Sequence, residues 1–221
     1  MGNPNIKDFT SGFEDYSDSV VAGVLLPEIN IASRFYKKLG ITEESSNLEF
    51  LTQLCRDGIK KYKINLAENK DKYYERVKME LSILDELGFV DYILLNWDIL
   101  NFCHENDIPT GPGRGSAAGS LVLFLIGVTQ IDPVEYDLFF ERFVSKSRAR
   151  QIEKDGVVYL DGSLLADVDN DIAYEHRQKV VDYIEKSYPN RTAKILTLNT
   201  LSGKLCVKEC GKLAGALSEA D

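Results

Sequence analysis

Apolar residues along this chain recur mostly at three- and four-residue spacing, and only in short stretches at alternate positions. Leu48, Leu51, Leu54, Cys55 and Ile59 fall on one face and predict a helix from Leu48 to Tyr62. Val77, Leu81, Leu84 and Leu87 predict a second, within a long helical pattern from Tyr73 to His104 that Gly88 divides. Ile93, Leu94, Trp97, Leu100 and Phe102 carry it on from Asp91, until Asn106, Asp107 and Pro109 end it. An apolar helix is expected over 121–127, and Pro133 is expected to open another that reaches Phe143. Further helices are predicted over 172–188 and 200–217. Strands are predicted over 156–160 and 163–169, joined by the turn pair Asp161-Gly162, and over 193–198. Residues 1–46 show little periodicity and predict an irregular connector, and 145–156 a charged, exposed loop. There is no internal repeat. The pattern describes an α+β fold, helix-rich, with a small mixed sheet.

Composition narrows the class. A chain of 221 residues with 44% hydrophobic and 28% charged residues has the make-up of a globular protein with a core of its own. The longest apolar run, Leu121 to Val128, is too short to span a bilayer and is interrupted by Gly127. The first residues lack the basic and apolar regions of a signal peptide, so a cytoplasmic location without a membrane partner is expected. Four cysteines are then expected as thiols rather than disulfides. Cys206 and Cys210 stand one helical turn apart, but no second cysteine pair accompanies them and His104 and His176 are distant, so a buried thiol is the better reading than a metal ligand.

Net charge is −9, unusual for a protein that binds nucleic acid. The distribution modifies this. Residues 186–212 hold six basic residues against the single acid Glu209, a local +5 that leaves −14 for the rest. Lys204, Lys208 and Lys212 share one helical face and are candidates for DNA or phosphate binding. A solvated charged face explains them equally well.

Two features hold candidate chemistry. In the run Thr110-Gly-Pro-Gly-Arg-Gly-Ser-Ala-Ala-Gly-Ser120, glycines strip side chains from a loop that feeds a helix, so backbone N–H groups can approach an anion. Gly113, Arg114, Gly115, Ser116 and Ser120 form a candidate nucleotide-binding set, with Arg114 supplying a fork of donors. The run is neither a Walker A loop nor a dinucleotide fingerprint. A tight turn packing a helix is the alternative, and Arg114 tips the balance towards phosphate. The second feature is Asp167-Val168-Asp169. On a strand, the two carboxylates point to one face about 6–7 Å apart. Two Mg²⁺ ions, roughly 4 Å apart, would relieve their repulsion and suit oxygen ligands with a phosphate substrate, one activating a primer 3′-hydroxyl and the other holding the triphosphate; Mn²⁺ is the natural substitute. Judged alone, such a pair more often belongs to an exposed acidic loop, and Asp171 fits the cap of the next helix. A phosphate loop followed by paired carboxylates is, however, the parts list of nucleotidyl transfer.

At these residues the sequence resembles a known family. Gly111-Pro-Gly-Arg-Gly-Ser-Ala-Ala-Gly-Ser120 is very similar to the glycine loop of the bacterial DNA polymerase III alpha subunit, the family C replicative polymerase. The likeness continues through Ile131-Asp-Pro133, Asp137-Leu-Phe-Phe-Glu-Arg-Phe143, Glu80-Leu-Ser-Ile and Gly88-Phe-Val-Asp-Tyr92, and more loosely through Leu26-Pro-Glu28, Leu51 to Lys61 and Ile195 to Gly211. It covers roughly residues 20–215. The resemblance implies a palm related to polymerase beta-like nucleotidyltransferases, with Gly115 and Ser116 as the family's triphosphate-contacting pair and Asp167 and Asp169 as its catalytic Asp-x-Asp. It implies three parts: a connector over 1–66, the palm over 67–199, and the truncated start of a DNA-gripping thumb over 200–221. Primer-template DNA, deoxynucleoside triphosphates, the remaining polymerase segments and a sliding clamp are the implied partners. Three features depart from the family. Leu165, Ala166 and Asn170 flank the pair where the family has Pro, Asp and Phe before and Phe after; residues 146–163 are longer than its connection; and the chain stops at Asp221, before the family's third carboxylate, fingers and full thumb.

The expected function is template-directed DNA synthesis, with this chain a fragment or split part that is weakly active or inactive alone. Two alternatives stand beside it: a non-catalytic DNA-binding or assembly module that keeps the palm fold, and a template-independent nucleotidyltransferase of the same superfamily.

Overall fold

The computed structural model describes residues 28–144, 151–154, 157–160, 166–194, 200 and 202–215. Contacts divide the chain into two compact units, 1–181 and 182–221. The described residues are helix-rich.

In the first unit, helix α1 (Ser33–Leu39) ends on Gly40 in the left-handed conformation, φ 68°. Helix α2 (Asn47–Lys61) begins with a reciprocal cap: the Ser46 hydroxyl accepts the Glu49 N–H at 3.2 Å, and the Ser46 N–H donates to the Glu49 carboxylate at 2.7 Å. Helices α3 (Lys70–Glu86) and α4 (Val90–Glu105) are separated where the sequence predicts, by Gly88 at φ 71°. The short α5 (Leu121–Leu125) is buried throughout. It packs on α2 and α3, and α4 packs on α2. Phe50, Leu51, Leu84, Ile93, Leu94, Leu121 and Leu123 are fully enclosed between them. Each such side chain contributes about 1.5–3 kcal/mol through burial. The rings of Phe35 and Phe50 meet Trp97 edge-on at 5.0 and 5.3 Å. Gly58 is a point of close approach between α2 and α5, because a Cβ there would collide with the Leu125 carbonyl.

Several sequence expectations are corrected. Helix α1 lies inside the expected irregular connector; two turns are too short to show periodicity, and the buried Phe35 and Tyr36 hold them in place. Pro133 does not open a helix to Phe143. The Asp132 carboxylate accepts the Val134 and Glu135 N–H groups, Asp137 takes a left-handed φ of 51°, and only a 3₁₀ turn follows at Phe140–Arg142. Strand β2 (Val157–Leu160) pairs antiparallel with β1 (Gln151–Lys154), in a segment expected as a charged loop, in the register Lys154↔Val157; the expected turn pair Asp161-Gly162 lies outside the described residues. Among the described residues, 166–169 pair with no strand. The small mixed sheet is not seen among the described residues, whose sheet is this two-stranded hairpin. Residues 161–165 and 195–199, which hold parts of two expected strands, lie outside the described residues.

Helix α6 (Arg177–Ser187) crosses the boundary between the units and is shorter than expected, since Ile172 bridges to Thr110 and Tyr174–His176 is a 3₁₀ turn. In the second unit, helix α7 (Gly203–Leu213) is capped by the Ser202 hydroxyl, which accepts the Leu205 N–H at 3.2 Å. No helix among the described residues is long and apolar enough to cross a membrane.

Candidate nucleotide and metal site

The glycine loop leaves α4 through Asp107, which turns at φ 54°, and lies beside the acidic segment 166–171. Backbone bonds join them. The Ala173 N–H donates to the Pro109 carbonyl at 3.2 Å, and the Gly111 N–H donates to the Asp171 carbonyl at 2.9 Å, flanking the Thr110↔Ile172 bridge. Gly111 is packed so closely that a Cβ would stand 2.7 Å from the Asp171 Cβ. Gly113 has φ 95° and a Cβ there would come within 2.8 Å of the Thr129 methyl, so both its conformation and its neighbour require glycine. Gly115, at φ 65°, is left-handed as well, and the position of its missing Cβ is 3.6 Å from Asp169 Oδ2. Arg114 is exposed and its Nε donates to Asp171 Oδ2 at 2.9 Å.

The far end of the loop is fixed from inside. Glu80, on α3, is completely buried. Its carboxylate accepts the Ser120 hydroxyl at 2.9 Å and the Leu121 and Val122 N–H groups at 3.0 Å each, so it caps α5 from below. Arg76 donates to Glu80 through Nε at 2.6 Å and through its terminal nitrogen to the carbonyls of Gly119 and Leu138 at 2.9 and 3.0 Å. Burial pushes the Glu80 carboxyl above the usual carboxylate range, while the Val122 and Leu121 N–H groups and the Arg76 guanidinium pull it back.

The sequence-derived set is therefore divided. Gly113, Arg114 and Gly115 lie on the loop beside Asp169, with Ser116 half-buried in the 3₁₀ turn Gly115–Gly119. Ser120 is not with them: its fully buried hydroxyl is bonded to Glu80 and to the Leu123 N–H, which leaves it no access to a ligand. Lys204, Lys208 and Lys212 are on α7 in the second unit, Lys212 within 3.5 Å of Glu209.

Asp167 and Asp169 are on an extended segment whose exposure alternates: Asp167, Asp169 and Asp171 are exposed, while Ala166, Val168, Asn170 and Ile172 turn inward. The segment rests on α4. The Asn170 side-chain amide donates to Asn96 Oδ1 at 2.8 Å, and Tyr92, one turn back on the helix, lies by Val168. Burial raises the Tyr92 phenol above its ordinary value; hydrogen bonds from Val168 and Asn96 oppose this, and the charges of Asp167 and Asp169 add to the rise. Neither Tyr92 nor Asn96 was among the sequence candidates. The available signal was an asparagine at a core position of an apolar helix, one turn beyond a tyrosine.

Among the described residues no group of three or more His, Cys, Asp and Glu side chains is gathered for a metal ion. Asp167 and Asp169 still fit Mg²⁺, because exposed carboxylate oxygens beside a glycine loop match an ion held by one or two carboxylates, water and a phosphate. Hollows of about 280 Å³ by Lys72, Arg76 and Leu138 and about 350 Å³ by Tyr62, Phe124 and Tyr136 are lined by none of the loop or aspartate residues.

Comparison with known proteins places the chain. The family described as "Bacterial DNA polymerase III alpha NTPase domain" matches residues 49–220. DNA polymerase III subunit alpha of Chlamydia trachomatis is 36% identical over 199 residues, 83% of this chain and 15% of that protein. The subunit of Halalkalibacterium halodurans is 36% identical over 186 residues, 84% of this chain and 15% of its own length. That of Bacillus subtilis is 33% identical over 175 residues, 78% of this chain and 14% of its own. The chain thus spans about 15% of the length of the curated relatives it matches. A match over most of the chain, with the glycine loop and aspartate segment side by side within it, shows that the chain belongs to the bacterial DNA polymerase III alpha NTPase domain family.

Proposed function

We propose that this chain supplies the nucleotide- and metal-binding part of a template-directed DNA polymerase. The observation that carries this reading is the proximity of Gly115 to Asp169, with the missing Cβ position 3.6 Å from the carboxylate oxygen. A triphosphate lying on the loop would reach the aspartates directly. In this reading residues 67–199 are the palm, residues 1–66 the connector and residues 200–221 the start of the thumb.

Gly113 and Gly115 let the loop backbone approach the phosphates, Ser116 offers a hydroxyl, and Arg114 offers its guanidinium fork. Asp167 and Asp169 hold the divalent ions, Mg²⁺ or Mn²⁺. These ions, when bound, lower the pKa of the primer 3′-hydroxyl and stabilise the charge on the leaving pyrophosphate. Apart from that, the chain's own contribution is position: it holds the triphosphate with its reactive phosphorus facing the aspartates and screens the phosphate charge with Arg114. Lys204, Lys208 and Lys212 are assigned to the DNA backbone. Primer-template DNA, deoxynucleoside triphosphates, other polymerase segments and a sliding clamp are the partners, in the cytoplasm.

One observation favours a second reading, a non-catalytic module with the same fold: Arg114 is already paired with Asp171. The deciding experiment is calorimetric titration of a deoxynucleoside triphosphate with Mg²⁺ into the chain, beside the double variant Asp167→Asn, Asp169→Asn. Metal-dependent binding that disappears in the double variant is expected. Equal binding by both proteins would place the nucleotide elsewhere and sink the proposal.

A further inference from the structure

The direction in which Asp167 and Asp169 point needs a cause. Among the described residues 166–169 are in no strand, and the backbone bonds that tie the segment to 109–111 reach no further back than Asp171. Both carboxylates are exposed. What remains is the inward face of the segment and the helix beneath it.

We propose that Tyr92, Asn96 and Asn170 form a positioning set that fixes the register of the aspartate segment and thereby aims Asp167 and Asp169. The proposal deepens the nucleotide and metal site described above and rests on that reading only where metal affinity is concerned. Tyr92 and Asn96 are four residues apart on α4 and face the same way. Val168 and Asn170 are two residues apart on an extended chain and also face the same way. Four residues of helix rise about 6 Å. Two residues of extended chain advance about 6.7 Å. The two spacings nearly agree, so the helix can meet the segment at two points at once, with Val168 beside Tyr92 and Asn170 Nδ2 bonded to Asn96 Oδ1 at 2.8 Å. A slip by one residue would turn the aspartates into the protein and satisfy neither contact.

The grip is itself braced. Asn96 donates its own Nδ2 to the Tyr92 carbonyl at 2.9 Å, which leaves Oδ1 facing the segment. Asn96 is 7% exposed, so water offers a poor substitute for the bond to Asn170. Such supports act through the ligands they hold, and their loss weakens metal affinity about 10- to 100-fold.

The test uses the full chain and two readouts. Mn²⁺ binding is followed by the electron-paramagnetic-resonance signal of free Mn²⁺, and hydrogen–deuterium exchange is followed at 166–171. The variants are Tyr92→Phe, Asn96→Ala, Asn170→Ala, the double Asn96→Ala, Asn170→Ala, and Asp167→Asn, Asp169→Asn as reference. Asn170→Ala changes the half-buried partner and so serves if Asn96→Ala fails to fold. Each asparagine variant is expected to bind Mn²⁺ about tenfold more weakly. The double should be no worse than either single. Exchange at 168–170 should speed up while the thermal midpoint of the whole chain holds. Unchanged exchange in these variants would overturn the inference whatever the metal does. Mn²⁺ affinity unchanged in them but lost in the aspartate reference would likewise overturn it while leaving the site intact. Faster exchange together with Mn²⁺ binding that survives the aspartate changes would uphold the positioning set and overturn the metal reading instead.

Discussion

Arg76 connects three otherwise separate parts: the Glu80 carboxylate on its own helix, the Gly119 carbonyl at the end of the glycine loop, and the Leu138 carbonyl beyond it. Glu80 is fully buried, so its charge depends on those donors for compensation. Arg76→Ala would strand a buried carboxylate and two carbonyls, and should destabilise the chain by about 3–5 kcal/mol in urea denaturation. Replacing both Arg76 and Glu80 with apolar residues of similar volume should recover only part of that loss, because the Gly119 and Leu138 carbonyls, the Ser120 hydroxyl and the Leu121 and Val122 N–H groups would stay unpaired. The pair stands one helical turn apart in a pattern that otherwise shows an amphipathic helix, and nothing in its spacing separates it from an ordinary surface i,i+4 ion pair. Only the tertiary arrangement, with α5 starting above it, makes it internal. The same limit hid Ser120, which by sequence belongs to the loop and by structure belongs to Glu80.

Among the elements, helices with three or more turns were legible because burial of one face imposes a period on the sequence. The period shows α2, α3 and α4 clearly, and Gly88 marks the break between the last two. The shorter pieces were not legible: α1 has too few residues to repeat, and the run from Pro133 is folded back by Asp132 and Asp137. Gly58 could be read from sequence only as a mild defect in a helix, yet it is where α2 and α5 meet backbone to backbone. Gly58→Ala should therefore cost well over the helix-propensity gain of about 1 kcal/mol that alanine would bring to an exposed position. A net loss of about 1–3 kcal/mol is expected in thermal or chemical denaturation. A stabilised variant would show that the two helices can move apart freely. The adjacency of loop and aspartates lies in the same class of hidden information. It depends on backbone bonds between Pro109–Gly111 and Asp171–Ala173, which leave no mark on side-chain type.

For the molecule as a whole, charge is divided more sharply than the net −9 suggests, since residues 186–212 hold +5 of it. If Lys204, Lys208 and Lys212 contact a DNA backbone, replacing all three with glutamine should make the logarithmic salt dependence of DNA binding shallower by about 2–3, measured by fluorescence anisotropy across a salt series. An unchanged slope would assign these lysines to a solvated face. The sequence made the lysine face legible, and the resemblance made the family legible, because the glycine loop is long and unusual. Neither could say that the lysines belong to a different compact unit from the aspartates.

The glycine loop behaves like a bridge span between two abutments. One abutment is the backbone pairing of Pro109 and Gly111 with Asp171 and Ala173; the other is the buried Glu80 and Arg76 beneath Ser120 and Gly119. With both ends seated, the deck between them has a fixed length, and any added residue must arch outward from the Asp169 side. The number of residues that cross the gap is therefore held as tightly as the glycines at 111, 113 and 119, which leave no room for a side chain.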